Sequence, residues 1–458
     1  MFTISDIADA TGGRIIGLPE GEVSGVSTDS RSVTAGELFV PLRGENFDGH
    51  DYIASVADQG VDAVLAEESW LKNNLLPDSL TCVAVSNTLQ ALGDIAAAFR
   101  QRYDIPVAGI TGSNGKTTCK EMLATILNQM GPGLKTAGNL NNLIGLPQML
   151  FRLRPEHGWA VLEMGMSEPG EINRLAEISS PQVGVLLNAF PAHLESMGSV
   201  ENVARAKGEL LLRLPVSGCA IINADDPLIA NQPSPVGVRR ITFGLGNAEI
   251  RATDIHLQGV GGQSFTLHIG DADQFVELAA YGRHNIYNAL AAAAAAHALG
   301  ITPEIIAHGL ELFRPYDKRF NLERVGGTIL IDDSYNANPA SVGAALATLA
   351  DLKTEQTAFV ALGDMLELGS NEAELHRMIG VQAAQVADRL YLYGTLSAYC
   401  AEGALSAGMP AEAIIQGLSH REIADDILRS AAEGDFVLLK GSRGMKMEKI
   451  AEEIRNRN

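Results

Sequence analysis

The sequence predicts an α/β protein of three domains, and three observations predict it. Short apolar strand-like runs alternate with amphipathic stretches along most of the chain, the pattern of a mostly parallel sheet covered on both faces. The length is 458 residues, which at about 150 residues per domain gives two to four domains. The composition, 46% hydrophobic and 19% charged, is that of packed cores rather than a disordered chain.

The first domain, residues 1–86, is read from the runs Glu37 to Leu42, Asp62 to Leu65 and Thr81 to Val85, separated by Gly-rich turns. The second, 87–314, opens with an amphipathic stretch, Leu89 to Phe99, read as a connecting helix. The apolar run Val107 to Ile110 then precedes a Gly turn and a helical pattern. Apolar side chains at 119, 122, 123, 126, 127 and 130 give that helix one buried face. Further strands are read at Ala160 to Leu162, Val183 to Leu187 and Cys219 to Ile222. From Glu249 to Tyr281 the period falls to two, with Gly at 261, 262 and 270, which predicts a small antiparallel addition. The alanine block at 289 to 298 predicts a closely packed helix. The third domain, 315–458, carries strands at Thr328 to Asp332, Ala358 to Leu362, Leu390 to Tyr393 and Phe436 to Leu439. It reads as another open α/β domain.

Charge and cysteines bound the function. With 34 Lys+Arg against 55 Asp+Glu the net charge is −21. This acidic balance argues against nucleic acid as main partner, because phosphate backbones need clustered cations; a nucleotide needs only a local positive pocket. The longest near-unbroken apolar run, Ala289 to Leu299, is interrupted by His297. It falls short of the ~20 residues that span a bilayer, so no membrane insertion is expected. The start, MFTISDIADATGG, lacks a basic and then apolar leader. Cys82, Cys119, Cys219 and Cys400 lie far apart, with no C-x-x-C pair. They read as small buried hydrophobes in a reducing, cytoplasmic setting.

The strongest motif is Thr111-Gly112-Ser113-Asn114-Gly115-Lys116-Thr117-Thr118. It follows a strand and opens a helix, the context of a phosphate loop. Glycines turn backbone N–H groups toward phosphate oxygens, and the helix N-terminus adds positive partial charge. Lys116 would reach the β- and γ-phosphates, and the Thr117 hydroxyl would bind Mg²⁺. The match to G-x-x-x-x-G-K-[ST] departs at its first position, where Ile110 stands and Gly109 lies one place earlier. An ordinary Gly-rich strand–helix turn is the alternative.

Three further residues are candidates at the carboxyl ends of the central sheet, where ligands bind in open α/β folds. Glu163 ends the strand at Ala160, His193 follows the strand at Val183, and Lys207 sits on a predicted helix. Carboxylate oxygen suits Mg²⁺; imidazole is less typical of so hard an ion. Each also has a plain reading: a capping acid, a hydrogen-bonded histidine, a solvated lysine. Asn285 and Asn288, three apart, share a helix face and present donor and acceptor together, as an adenine edge requires. Asn285 could instead cap the helix. Neighbouring strand residues face opposite ways, so one of Asp332 and Asp333 enters any site, and Pro339 can start the next helix.

The loop T-G-[ST]-N-G-K-T-T, the segments at Glu163, His193 and Lys207, and H-N-x-x-N-x-x-A-A resemble the Mur ligases. The related folylpolyglutamate synthetases share the loop and the lysine. By this resemblance ATP is the energy source. Mg²⁺, two ions, is held by Thr117 in one case and by Glu163 and His193 in the other. Lys207 is similar to the lysine that carries a carbamate, which needs a neutral amine and converts a cation into an anion. The resemblance gives Arg319 the γ-phosphate, although Lys318 stands where members usually have Gly, and it selects Asp333 as the aspartate of the site. Asn223-Ala-Asp225-Asp226 matches a family segment of unassigned role.

Within the family the resemblance is to members that attach D-alanyl-D-alanine to UDP-N-acetylmuramoyl-tripeptide. Asp332 to Pro339, Leu362-Gly-Asp364-Met-Leu-Glu367-Leu-Gly369 with His376, and Lys440-Gly-Ser-Arg443-Gly-Met-Lys-Met-Glu448 carry it. The last two could be plain strand–turn–helix joints. No D-N-P-R motif and no G-x-G-x-x-G opening are present. The resemblance implies a small UDP-binding α/β domain, a central parallel-sheet ATPase domain and a Rossmann-like third domain. Ser27, Ser30, Arg31, Gly44, Asn46, Asp48 and His50 would hold the UDP-linked substrate. Asn139 and Asn142 would take its peptide end. Tyr335, Asn336 and Asn338 would meet the dipeptide. A monomer is implied. A folylpolyglutamate-type ligase and a non-catalytic ATP-dependent scaffold are the rival readings; the UDP-site-like amino domain and the intact Lys116, Glu163, His193 and Lys207 set distinguish them.

Overall fold

The computed structural model describes residues 2–192, 194–315 and 318–457. The chain divides into two compact units: residues 1–109, 132–165 and 171–181 in the first, and 110–131, 166–170 and 182–458 in the second.

The first unit carries a five-stranded sheet in the order Arg14–Ile16, Thr81–Val85, Ala63–Glu67, Glu37–Phe39, Gly25–Ser27. Only the Arg14–Ile16 pairing is antiparallel. Val64, Ala66 and Cys82 bury one face with Val56 and Ile53 of the covering helix. The expected connecting helix runs Thr88–Arg100, capped by Asn87, whose side chain accepts the Gln90 N–H at 2.8 Å. Its Phe99 joins Phe2 and Phe151 in an aromatic cluster. The strands Leu134–Lys135 and Ala160–Glu163 pair in parallel in this unit.

In the second unit Val183–Leu186, Cys219–Asn223, Arg239–Gly244 and Ile250–Leu257 lie parallel in that order. Gln263–Ile269 and Ala272–Leu278 then add antiparallel, as the change of period predicts. The helix Arg283–Ala298 buries every alanine from Ala289 to Ala296. The helix after the Gly turn, Lys116–Leu127, buries Cys119, Met122, Leu123, Ile126 and Leu127. Met130 departs from the expected stripe: the helix ends at Leu127 in a short 3₁₀ turn, and Met130 is 60% exposed.

The second unit also holds a six-stranded sheet in the order Asn321–Val325, Thr328–Asp333, Phe436–Lys440, Ala358–Gly363, Arg389–Tyr393, Ile414–Gln416. All but the first pair are parallel. Ile329, Ile331, Val360, Leu362 and Leu438 pack on one face. Leu330, Phe359, Ala361, Val437 and Leu439 pack on the other. Burial on both faces is why these strands read as unbroken apolar runs. The four cysteines are free and buried, and burial pushes the Cys219 thiol up to about 11.

Candidate active site

The strand Val107–Thr111 ends at the phosphate-loop motif, and Lys116–Leu127 begins behind Gly115, an N-cap with no side-chain hydrogen bond. Gly115 has φ +85°, and a Cβ there would lie 2.1 Å from Asn288 Oδ1. Conformation and space both demand glycine. The loop is tied down by its neighbours. Ser113 N–H donates to the Asn188 carbonyl at 3.0 Å. Asn114 N–H donates to Asn188 Oδ1 at 2.8 Å, and Asn188 Nδ2 returns a bond to the Asn114 carbonyl at 3.1 Å. The Ser113 and Asn114 N–H groups are therefore spent on Asn188, which opens the segment leading to His193 and for which the sequence suggested no such role. Lys116 Nζ lies over the loop and donates to the Gly112 carbonyl at 2.8 Å. The Thr111 hydroxyl is buried and lacks a hydrogen-bond partner among the described residues, and the Thr118 backbone forms part of the first helical turn.

Lys207 lies on the helix Val200–Leu212 and is 2% exposed, so the solvated alternative does not hold. Burial, with repulsion from Lys116, holds its pKa well below the ordinary lysine range. The amine is thereby biased to the neutral form.

Asn285 and Asn288 are buried and bonded to each other, Asn288 Nδ2 donating to Asn285 Oδ1 at 3.0 Å. Asn285 Nδ2 donates to the Tyr281 carbonyl at 2.8 Å. The N-cap is Gly282, so capping is not the task of Asn285. Beside them burial, with Lys440, pushes His284 down to about 4 against the opposing pull of Asp333.

Arg319 reaches the loop from the carboxyl-terminal third: its guanidinium donates to Thr117 Oγ1 at 3.2 Å, across 202 residues. It also lies 4.0 Å from the Tyr335 ring centroid. Lys318 and Phe320 on either side have φ +57° and +51°. A left-handed Lys318 explains physically why glycine suits this position. The Phe320 N–H donates to Asp333 Oδ1 at 3.1 Å, and Lys440 Nζ donates to Asp333 Oδ2 at 2.6 Å. Asp333 thus fixes the backbone beside Arg319. Asp332 points the other way, fully buried against Arg455 at 2.9 Å. Lys440 also donates to the Asn336 carbonyl at 3.0 Å, while Asn336 Oδ1 accepts the Ala337 N–H. Asn338 caps the helix Pro339–Leu352. In the 362–369 segment, the Glu367 carbonyl accepts the Leu194 N–H at 3.2 Å. Asp364 accepts the Leu396 N–H at 3.1 Å, and His376 Nε2 accepts the Met365 N–H at 3.0 Å. Arg443 pairs with Glu448 at 2.6 Å.

The segment Asn223 to Asp226 is a brace. Asn223 Nδ2 donates to the Leu187 carbonyl at 2.7 Å, and Asp226 accepts the Ala189 N–H at 2.8 Å while capping Pro227–Ala230. Asp225 accepts from the Leu245 N–H and the Tyr287 hydroxyl. These bonds hold the stretch leading toward His193, which lies outside the described residues.

In the first unit Glu163 is 3% exposed, its N–H bonded to Thr136 Oγ1 at 2.9 Å. Asn141 Nδ2 donates to Glu163 Oε1 at 2.8 Å; nothing in the sequence sets Asn141 apart from its neighbours Asn139 and Asn142, the candidates for the peptide end of the substrate. Asn142 Oδ1 accepts the Gly145 N–H at 2.8 Å at the start of the helix Gly145–Leu150, and Asn139 is exposed. Ser27, Ser30 and Arg31 follow one another around a turn on Asp29. Ser27 Oγ accepts the Asp29 N–H, and the Ser30 carbonyl accepts from Gln59. Arg31 is exposed and pairs with Asp29 at 2.8 Å, holding that carboxyl at about 2. Gly44 N–H donates to the Phe47 carbonyl across a tight turn that includes exposed Asn46. Asp48 bonds His50 Nδ1 at 2.6 Å, and His50 Nε2 accepts the buried Glu67 N–H at 3.1 Å. His50, 1% exposed, is a strut of this loop.

Comparison with known proteins identifies the family. Three family models match: the Mur ligase family catalytic domain over residues 22–100, the Mur ligase middle domain over 110–296, and the Mur ligase glutamate ligase domain over 318–443. The UDP-N-acetylmuramoyl-tripeptide–D-alanyl-D-alanine ligase of Bacillus subtilis (strain 168) is 36% identical, over 99% of this chain and 98% of its own. A crystal structure of MurF from Acinetobacter baumannii, 32% identical, superposes with a TM-score of 0.91 over 99% of both chains. The MurF ligase of Thermotoga maritima in complex with ADP, 28% identical, gives 0.84 over 94% of this chain and 97% of its own. With Mur ligase models matching most of its length and 36% identity over 99% of it to the Bacillus subtilis ligase, the chain belongs to the Mur ligase family.

Proposed function

We infer that this protein joins D-alanyl-D-alanine to UDP-N-acetylmuramoyl-tripeptide at the expense of ATP. The products are the UDP-muramoyl-pentapeptide of peptidoglycan synthesis, ADP and phosphate. The observation that carries the reading is the reach of Arg319 to Thr117, because it brings a cation from the carboxyl-terminal third to the end of the phosphate loop. A scaffold that merely bound nucleotide would not need it.

In the proposed mechanism the tripeptide carboxylate attacks the γ-phosphorus of ATP, and ADP leaves. The amine of the dipeptide then attacks the acyl carbon, an amide forms and phosphate departs. Lys116 and Arg319 offset charge developing on the phosphoryl oxygens. Asp333 and Lys440 hold the backbone beside Arg319. Asn285 and Asn288 are the adenine-side candidates. Tyr335 and Asn336 are the dipeptide-side candidates, with Asn338 in the same turn. Ser27, Ser30, Arg31, the Gly44–Asn46 turn, Asp48 and His50 shape the UDP side, and Asn139 and Asn142 the peptide end. Exclusion of water protects the acyl phosphate.

Magnesium is proposed on two ions. Among the described residues no three or more His, Cys, Asp or Glu side chains gather as a metal site. Mg²⁺ does not need such a cage, since it keeps water and phosphate ligands beside one or two carboxylates. The Thr117 hydroxyl and buried Glu163 carboxylate are hard oxygens of that kind, with His193 and carbamylated Lys207 as further candidates. When bound, the metal would neutralise phosphate charge. Among the described residues no helix is long and apolar enough to cross a membrane; a cytoplasmic monomer is proposed. Domain boundaries are proposed at 86/87 and 314/315.

The test is phosphate release from Mg-ATP with UDP-muramoyl-tripeptide, with and without D-alanyl-D-alanine. Release that requires the dipeptide, with the pentapeptide product seen by mass, is expected. Turnover instead with glutamate and a folate would replace this reading with the folylpolyglutamate type, and binding without turnover would replace it with the scaffold.

A further inference from the structure

Asn338 does two things at once. As the N-cap of Pro339–Leu352 its Oδ1 accepts the Ser341 N–H at 2.9 Å, and its own N–H donates to Ser341 Oγ at 3.0 Å. The same side chain exchanges two hydrogen bonds with Asn114 of the phosphate loop, at 2.8 and 3.1 Å, across 224 residues. A reciprocal amide pair fixes both the separation and the planes of its members, because each supplies one donor and one acceptor. Asn114 is in turn held through its main chain by Asn188. Three asparagines thus link the end of Val183–Leu186, the phosphate loop and the helix that follows the Asp333 turn. Both acceptor positions of Asn338 Oδ1 are occupied, which leaves little of this amide for a dipeptide.

We propose that the Asn114–Asn338 pair is a positioning couple that registers the Asp333–Asn336 turn, and with it Arg319, on the phosphate loop. Asn338 then governs turnover through the loop and not by touching the dipeptide. The proposal rests on the ligase reading above. Its physical basis is the steep cost of misplacement, in which about 1 Å at a reacting centre costs about a hundredfold in rate.

The test is a double-mutant cycle in the full chain. Asn338→Ser keeps an N-cap oxygen but is too short to reach Asn114, and Asn114→Ala leaves the helix cap untouched. Each single variant is expected to lower kcat by about tenfold with the dipeptide KM within about twofold. The double variant should be no slower than the slower single, because one shared interaction is lost only once. A raised dipeptide KM at unchanged kcat in Asn338→Ser would make Asn338 a dipeptide contact and overturn the proposal. Losses that multiply in the double variant, or unchanged kcat in both singles, would also overturn it. If Asn338→Ser does not fold, Asn338→Asp, which keeps the cap and loses the donor, takes its place. ATP affinity through the same cycle separates the two claims. If the wild-type chain makes no amide, the ligase reading fails, while non-additive ATP affinities still support the couple and additive ones reject it.

Discussion

A lysine amine that is buried and set near a second lysine cannot keep its proton easily, and Lys207 is in that position. Carbamate formation needs the lone pair: the nitrogen attacks the carbon of CO₂, a proton leaves to solvent, and an anion replaces the cation. The chain's own burial therefore prepares the modification that the resemblance implies. A ¹³C carbamate signal is expected when the protein is equilibrated with labelled bicarbonate, absent in Lys207→Met. That variant should lose kcat by about a hundredfold or more. An identical signal in the variant would assign the carbamate elsewhere. The unmodified lysine also leaves a mark on stability. Its folded pKa lies below the unfolded value, so across that window the unfolded chain binds more protons, and stability rises with pH. Urea unfolding of CO₂-free protein should show that rise, and Lys207→Met should flatten it. The sequence placed Lys207 on a helix, but its burial depends on packing from distant segments, which local periodicity does not encode.

At the scale of elements, the loop and the helix Lys116–Leu127 were legible because a Gly turn between an apolar strand and a periodic stripe fits few alternative structures. Less visible was what holds the loop. Asn188 and Asn338 are 74 and 224 residues from Asn114, and no local pattern announces such pairs. Asn141 escaped for the same reason, and the Asn223–Asp226 segment stood out as a family match without its bracing role being legible. The strands Asn321–Val325 and Ile414–Gln416 were missed because they lie at sheet edges, with partly exposed residues and no unbroken apolar run. Met130 was misplaced because its spacing fits a helix that has already ended. The tightness of the loop gives a prediction. Gly115→Ala would force a left-handed alanine, at roughly 1–2 kcal/mol, and thrust its Cβ against Asn288. A total loss of about 2 kcal/mol or more is expected in urea unfolding, with weakened ATP binding by calorimetry. A variant as stable and as tight-binding as the parent would show that this loop does not need glycine.

For the whole molecule, the three family stretches and the three expected α/β regions follow the same order along the chain. The strand content of the carboxyl-terminal third was readable because both faces are buried. Charged and amide residues at strand ends stood out as candidates because open α/β folds bind ligands there. The proposed mechanism turns on one step, in which the tripeptide carboxylate itself takes the γ-phosphoryl group before the dipeptide arrives. That step is decided with UDP-muramoyl-tripeptide labelled with ¹⁸O in the terminal carboxylate, followed through one turnover with ATP and D-alanyl-D-alanine. Attack on the γ-phosphorus predicts one labelled oxygen in the released phosphate and the other in the new amide carbonyl. Unlabelled phosphate, with the pentapeptide still formed, would contradict the acyl phosphate and the roles assigned to Lys116 and Arg319.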